Sequence, residues 1–555
     1  MAGTAPKTDA TTLNRPVKKT SPPSGTTLNR PVKKTSPPSG TRGTPEVKNR
    51  EVTWCVLACL LAFLIAFITT TSAVLFFSKS YERVPAQECL VVSTSSGKVQ
   101  GALVEFTIAE KSHSAVAFYG VPFASPPVEK RRFAPPTCST PWKDAFNATY
   151  KRPPCAEHNT VLTKNHVIDA PNTTEDCLHV NVWVPGSCVD RKPSHRRAIV
   201  FWLHGGSFVF GGNSYDFYDG RFMAALGDVV VVVPNYRVWS FGFLNSETAD
   251  VAGNMALHDV LLALNWVQRN AERFGGDPDR ILGAGQSAGA IIVSLLMASP
   301  LTSARASFRR AYLLSGSMHT PLPGNTGDFA KENFDKLATI AGCVQADVPG
   351  KLHCMRGLNA SALIRANRAI PMSIMPSFEA PLFPGRPDRF LRSRGVDTIM
   401  GTTLNEGMAM FQQLWPNVVE NHVKVTIGAI KPSFGYFFAG VSDRELASAF
   451  QLLGAFYNID DPDNKGWIDL FGDVLFHCPQ IALGKQLSAI GKKVFFRKYV
   501  PKPSFSKFAG DGATHGEDAI MLFGVPFLYP KISTDEEKTM SLRMISTIAN
   551  FAKDG

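Results

Sequence analysis

Ser287 stands at the centre of Gly285-Gln286-Ser287-Ala288-Gly289. Small residues two before and two after a serine let a strand turn sharply into a helix, which lifts the hydroxyl above a sheet on a strained backbone. A hydroxyl so placed can attack a carbonyl carbon. The apolar pair Ile281-Leu282 before it and the run Ile291 to Met297 after it supply the strand and helix that such a turn needs. A pentapeptide of this kind recurs readily by chance, so its meaning depends on what else the chain provides. His204-Gly205-Gly206-Ser207-Phe208 follows directly on the apolar run Ala198 to Leu203. A glycine-rich turn there can aim backbone N–H groups, with that of Ala288, at the oxygen that becomes negative during attack. Read alone, it is equally an ordinary strand-end turn.

A serine nucleophile needs a base, and the base needs an orienting acid. Among twelve histidines, His515 lies in the glycine-flanked stretch Gly512-Ala513-Thr514-His515-Gly516-Glu517-Asp518, beyond the last strand-like run. The acid stays open among many carboxylates. Glu406, in Thr403-Leu404-Asn405-Glu406-Gly407, follows the apolar run Thr398 to Met400 and a turn. Spacing does not select it uniquely.

The elements that must position these groups are legible as short apolar runs at Ala198 to Leu203, Val229 to Val233, Ala311 to Leu314, Thr398 to Met400 and Val494 to Phe496. Continuous runs suit strands buried on both faces. Between them Leu257, Leu261, Leu264 and Val267 fall at helical spacing. The alternation predicts an α/β domain with a central, mostly parallel sheet.

The chain has 555 residues, of which 44% are hydrophobic and 19% charged, enough for one large core. Its net charge of +12 is concentrated in residues 1–51, where ten Lys/Arg face three Asp/Glu, a net of +7 that leaves +5 for the rest. This is no nucleic-acid-binding surface. The tail repeats TTLNRPVKKTSPPSG at 11–25 and 26–40, a composition that predicts disorder. Residues 52–78 carry no charge and include Leu57, Leu60, Phe63, Ile65, Val74 and Phe77. About 20 such residues cross a bilayer as a helix, so the run predicts one transmembrane signal anchor. Lys33, Lys34, Lys48 and Arg50 precede it, and the positive-inside rule then keeps the N-terminus cytoplasmic and sends residues 79–555 outward, as a single-pass type II protein. Such a domain can be glycosylated and disulfide-bonded. Sequons stand at Asn147, Asn172 and Asn359, and eight of the ten cysteines follow the apolar run. No Gly-Lys-Ser/Thr phosphate loop and no His-Glu-x-x-His pair occurs, so no metal or other cofactor is expected.

From about Cys89 to Gly555 the chain resembles the type-B carboxylesterase and cholinesterase family. The resemblance rests on Phe118-Tyr119-Gly120-Val121-Pro122-Phe123-Ala124, Arg132-Phe133, Glu175-Asp176-Cys177-Leu178, Asn181-Val182-Trp183-Val184-Pro185, Asn235-Tyr236-Arg237-Val238 and Phe274-Gly275-Gly276-Asp277-Pro278, in that order before Ser287. It implies the α/β-hydrolase fold and a triad of Ser287 as nucleophile, His515 as base and Glu406 as acid. It further implies oxyanion donors at the N–H groups of Gly206, Ser207 and Ala288, and disulfides Cys155 to Cys177 and Cys343 to Cys354. Ser207 stands where the family usually has Gly or Ala. Cys478 resembles the first member of a third bridge whose partner lies past Gly555, in a C-terminal helical region that the family continues into. No partner is implied for Cys89, Cys138 or Cys188.

Departures narrow the substrate. Val167 replaces the tryptophan that faces quaternary ammonium in cholinesterases, and neutral Gln286 replaces their glutamate, which favours uncharged esters. Gly283-Ala284 replaces a bulkier apolar pair. The leading expectation is a membrane-anchored serine carboxylic ester hydrolase. One alternative is a cell-adhesion protein resembling neurotactin and neuroligin, with a protein partner. A second is a secreted enzyme resembling juvenile hormone esterases, although their Asp-Gln pair reads Asp259-Val260 here.

Overall fold

Each apolar run that the sequence marks as a buried strand lies in one sheet of a computed structural model. The structure describes residues 88–157, 172–302, 308–322, 326–370, 374–378, 382–383, 385, 387–393, 395–415, 423–426, 442–459 and 461–555. The basic tail, the apolar run 52–78 and Val167 lie outside them. Among the described residues no helix is long and apolar enough to cross a membrane.

The strands are β1 (Ala102–Ile108), β2 (Lys111–Pro122), β3 (His179–Pro185), β4 (Arg197–Leu203), β5 (Val230–Pro234), β6 (Gly276–Gln286), β7 (Arg310–Leu314), β8 (Asp397–Thr403) and β9 (Val494–Tyr499), in the spatial order β9-β8-β7-β6-β4-β5-β3-β2-β1. From β9 to β5 every pairing is parallel. From β5 to β1 every pairing is antiparallel. The sheet is therefore mixed and mostly parallel.

Alternate residues of a strand face opposite layers, and β4 shows both. Ile199, Phe201 and Leu203 enter one core, while Ala198, Val200 and Trp202 enter the other. Five helices matter for the site: α1 (Arg221–Gly227), α2 (Met255–Asn270), α3 (Ala288–Ala298), α4 (Glu406–Leu414) and α5 (Asp535–Lys553). Leu257 and Leu264 of α2 and Ile291 and Leu295 of α3 pack in the first core. Met223 of α1 and Ile548 and Phe551 of α5 pack in the second. The start of α5 is fixed by a capping box in which the Thr534 hydroxyl accepts from Glu537 N–H and the Glu537 carboxylate accepts from Thr534 N–H. A third cluster, Met410, Phe411, Trp467, Phe471 and Phe476, seats α4.

Two departures from plain apolar patterning have local causes. β2 shifts register between Phe118 and Val121, where Gly120 has φ 64°. Its N–H donates to buried Asn181 Oδ1 at 2.7 Å, and Asn181 Nδ2 donates to Asn213 O at 2.7 Å. The polar residue inside β3 thus satisfies the bulge. Gly283 is also accounted for: a Cβ there would stand 2.5 Å from the Phe308 ring, so the ring leaves no room for a larger residue.

Candidate active site

The carboxyl ends of β4, β6, β8 and β9 open on one edge of the sheet, where parallel α/β folds place their chemistry. Register sets their levels. Leu203 pairs with Gly285, Gln286 with Leu314, Leu314 with Gly401, and Thr403 with Tyr499.

Ser287 joins β6 to α3 at φ 54° and ψ −124°, outside the backbone regions that ordinary residues populate. Its N–H donates to Leu314 O at 2.8 Å, and its carbonyl accepts from Ile291 N–H at 2.9 Å, so the turn is pinned on both sides. Gly289 is required by contact: a Cβ there would lie 2.1 Å from Leu203 O. The side chain is 8% exposed.

His515 and Glu406 come together from different strand ends. Asn405 N–H donates to Ala513 O at 2.8 Å, tying the loop after β8 to the loop after β9. His515 Nδ1 then meets Glu406 Oε2 at 2.6 Å. The other carboxylate oxygen accepts from Ser315 Oγ at 2.5 Å and Thr403 N–H at 2.6 Å. Burial is the largest single influence on Glu406 and would raise its pKa, but the bonds and charge from His515, with Ser315 and Thr403, hold it below the usual carboxylate range. With Nδ1–H donated to this carboxylate, Nε2 of the neutral ring carries the lone pair. That atom lies 3.0 Å from Gln286 Nε2, which can donate to it. Among the described residues Ser287 Oγ makes no hydrogen bond to His515; the carboxamide of its neighbour takes that position. Phe476 covers the ring at 4.1 Å between centroids.

The glycine turn after β4 lies against the same carboxamide, since a Cβ on Gly205 would meet Gln286 Oε1 at 2.3 Å. Gly206, Ser207 and Phe208 have φ of 118°, 52° and 63°. Val209 and Phe210 N–H both donate to Gly206 O, which closes the turn and leaves Gly206 and Ser207 N–H without a partner among the described residues. Below it, His204 stacks on Tyr236 at 4.1 Å, and Tyr236 O–H donates to His204 O at 2.7 Å. Burial pushes His204 down to about 4, so it packs as a neutral ring.

A sequence model of the Carboxylesterase family matches residues 88–555. The chain belongs to that family. Acetylcholinesterase-1 of Trittame loki is 32% identical over 491 residues, covering 83% of this chain and 86% of that protein. Cholinesterase of Mus musculus is 29% identical, covering 86% and 80%, and Carboxylesterase 1C of Mus musculus is 28% identical, covering 84% and 85%.

Within this carboxylesterase-family domain the bonds Cys155–Cys177 and Cys343–Cys354 are present. Asn147, Asn172 and Asn359 are all exposed. Among the described residues no group of three His, Cys, Asp or Glu is placed to hold a metal ion. Three contacts that matter here have no counterpart in the sequence reading. The contact of Gln286 with His515 is one, and the bond from Ser315 to Glu406 is another. Ser315 stands one position past an apolar run and before Gly316, a strand-end signal that could have marked it.

The third is that of Glu157, 5% exposed, whose carboxyl receives Gly211 N–H and Tyr215 O–H and so braces the glycine turn from behind. Burial pushes it up to about 8, against those two bonds. An unfolded glutamate ionises near about 4.3. Between these values the folded state holds a proton that the unfolded state has lost, so this group's contribution weakens as pH rises. Glu157→Gln should therefore gain melting temperature relative to wild type from about pH 5 to about pH 8. An equal difference at both pH values in paired thermal melts would refute a proton held at Glu157.

Proposed function

We propose that the domain hydrolyses uncharged carboxylic esters through an acyl-serine intermediate. The observation that carries this reading is the 2.6 Å contact of His515 Nδ1 with buried Glu406, beside a serine on a strained strand-to-helix turn. Ser287 Oγ attacks the ester carbonyl as His515 Nε2 takes its proton, and the Glu406 carboxylate stabilises the imidazolium that forms. The N–H groups of Gly206, Ser207 and Ala288 receive the developing oxyanion. His515 then protonates the departing alcohol, and water repeats the sequence on the acyl group. Gln286 must first leave Nε2, because one lone pair cannot accept from both the amide and the serine hydroxyl. A neutral carboxamide beside the nucleophile supports uncharged esters.

Ser287→Ala should remove labelling by a tagged fluorophosphonate and lower ester turnover by about 10⁴-fold or more. Glu406→Gln should retain labelling at a slower rate and lose about 10⁴-fold in kcat. Folded wild type that neither labels nor turns over aryl or alkyl esters would sink the hydrolytic reading. Cell aggregation that survives Ser287→Ala would then favour adhesion. Freeing Nε2 by Gln286→Ala should raise the rate constant of Ser287 phosphonylation by about 2- to 10-fold, the worth of one hydrogen bond. A slower reaction would show that the amide assists the base.

We further propose that residues 52–78 anchor the protein with this domain outside the cytoplasm. The charge-free run with basic residues before it and the exposure of Asn147, Asn172 and Asn359 support that reading. Endoglycosidase treatment of protein from animal cells should lower its apparent mass. The triple variant with Gln at these positions should show no such shift, and an unglycosylated wild type would contradict outward placement.

A further inference from the structure

Cys188 lies in the exposed turn after β3, and half-buried Cys89 lies in the one-turn 3-10 helix Glu88–Leu90. The two stretches run side by side. Val189 N–H donates to Cys89 O at 3.3 Å, and two residues further along each segment Arg191 Nη2 donates to Val91 O at 2.5 Å. The backbone bond sets Val189 against Cys89, and the Arg191 side chain reaches across to the same segment. Arg191 Nε also donates to Arg273 O at 3.2 Å, and Val189 is buried in the first core, so the second segment is fixed to the body of the domain. The bond from Val189 leaves Cys188, the residue before it, beside Cys89, and the two thiols interact.

We propose that Cys89 and Cys188 form a third disulfide, which fastens the start of the described domain to the loop between β3 and β4. Two disulfides already in the domain indicate a thiol-oxidising compartment. Thiols on segments bonded side by side can be brought within bonding reach, whereas Cys138 and Cys478 are exposed and have no cysteine neighbour shown among the described residues. The oxidant is an external disulfide, such as glutathione disulfide. Exposed Cys188 loses its proton and attacks one of its sulfurs, expelling one thiol. Cys89 then loses its proton and attacks Cys188 Sγ in the mixed disulfide, expelling the second thiol. The protein gives up two hydrogens and the external disulfide becomes two thiols. Burial first, and then the Cys89 thiol, push the Cys188 pKa up to about 11, so closure is slow near neutral pH and accelerates in alkaline solution.

The test uses the full chain displayed by animal cells, denatured in excess iodoacetamide without reductant and digested for mass spectrometry. A peptide pair joining Cys89 to Cys188, two hydrogens short of the reduced pair, is the expected result. In Cys188→Ser, Cys89 should become alkylated. The proposal is overturned if Cys89 and Cys188 are both alkylated in protein whose Cys155–Cys177 and Cys343–Cys354 pairs are intact. It is equally overturned if Cys89 stays blocked in Cys188→Ser, which would place its partner elsewhere.

Discussion

A carboxylate buried to 1% exposure imposes the central constraint on this molecule. Removing Glu406 from water is costly unless its oxygens are bonded and its charge is answered. Three donors meet that demand, and each comes from a different part of the sheet edge: Thr403 N–H from the end of β8, Ser315 Oγ from the end of β7, and His515 Nδ1 from the loop after β9. Placement at the first turn of α4 adds the favourable end of a helix dipole. The outcome is a carboxylate that stays ionised in a dry place and fixes both the tautomer and the plane of the imidazole. Losing any one donor leaves a buried charge with less to offset it, so the acid is held by the fold as much as it holds the histidine.

Parallel pairing makes this convergence possible. Strands that share a direction present successive carboxyl ends to the same edge, and the register from Leu203 through Gly285, Leu314 and Gly401 brings the four loops to similar height. The helices on either face serve chiefly to bury the alternating side chains that keep those strands aligned.

The same distinction explains what the sequence disclosed. Strands β4 to β9 are the parallel ones; five were visible as apolar runs with boundaries displaced by a few residues, and β6 showed only the pair Ile281-Leu282 within Gly276–Gln286. β1 and β2 escaped notice because one side of an antiparallel edge is open: β1 alternates between half-buried and exposed positions, and β2 begins in Lys111, Ser112 and His113. β3 is wholly buried yet carries His179 and Asn181, whose polarity answers a bulge on the neighbouring strand that no local pattern could reveal. Ser287 and the glycine turn were legible because backbone strain demands particular residue types nearby. Glu406 and His515 took their meaning from family motifs, since neither has a local signature. The contacts of Gln286, Ser315 and Glu157 join residues 229, 91 and 54 positions distant, and only folding brings them together.

Strain gathers where the chemistry is proposed. Ser207, Phe208, Ser287 and Ser315 all hold positive φ without being glycine, at 52°, 63°, 54° and 51°. Each such residue costs of order 1 to 3 kcal/mol and persists only where its surroundings fix it. The anchors are identifiable. Phe208 is buried against Phe243 with ring centroids 5.4 Å apart, and its carbonyl accepts from Trp239 N–H at 2.8 Å. Ser287 is clamped between Leu314 and Ile291, while Ser315 N–H donates to Gly401 O at 2.8 Å as its hydroxyl reaches Glu406. Relaxing any of these turns would unseat a packed aromatic ring or a sheet bond, which costs more than the strain it relieves. The backbone of the glycine turn and of Ser287 is therefore fixed by the fold itself. The Gln286 side chain holds His515 Nε2 at 3.0 Å, so under the proposed mechanism that contact must open before the serine hydroxyl can use the same lone pair.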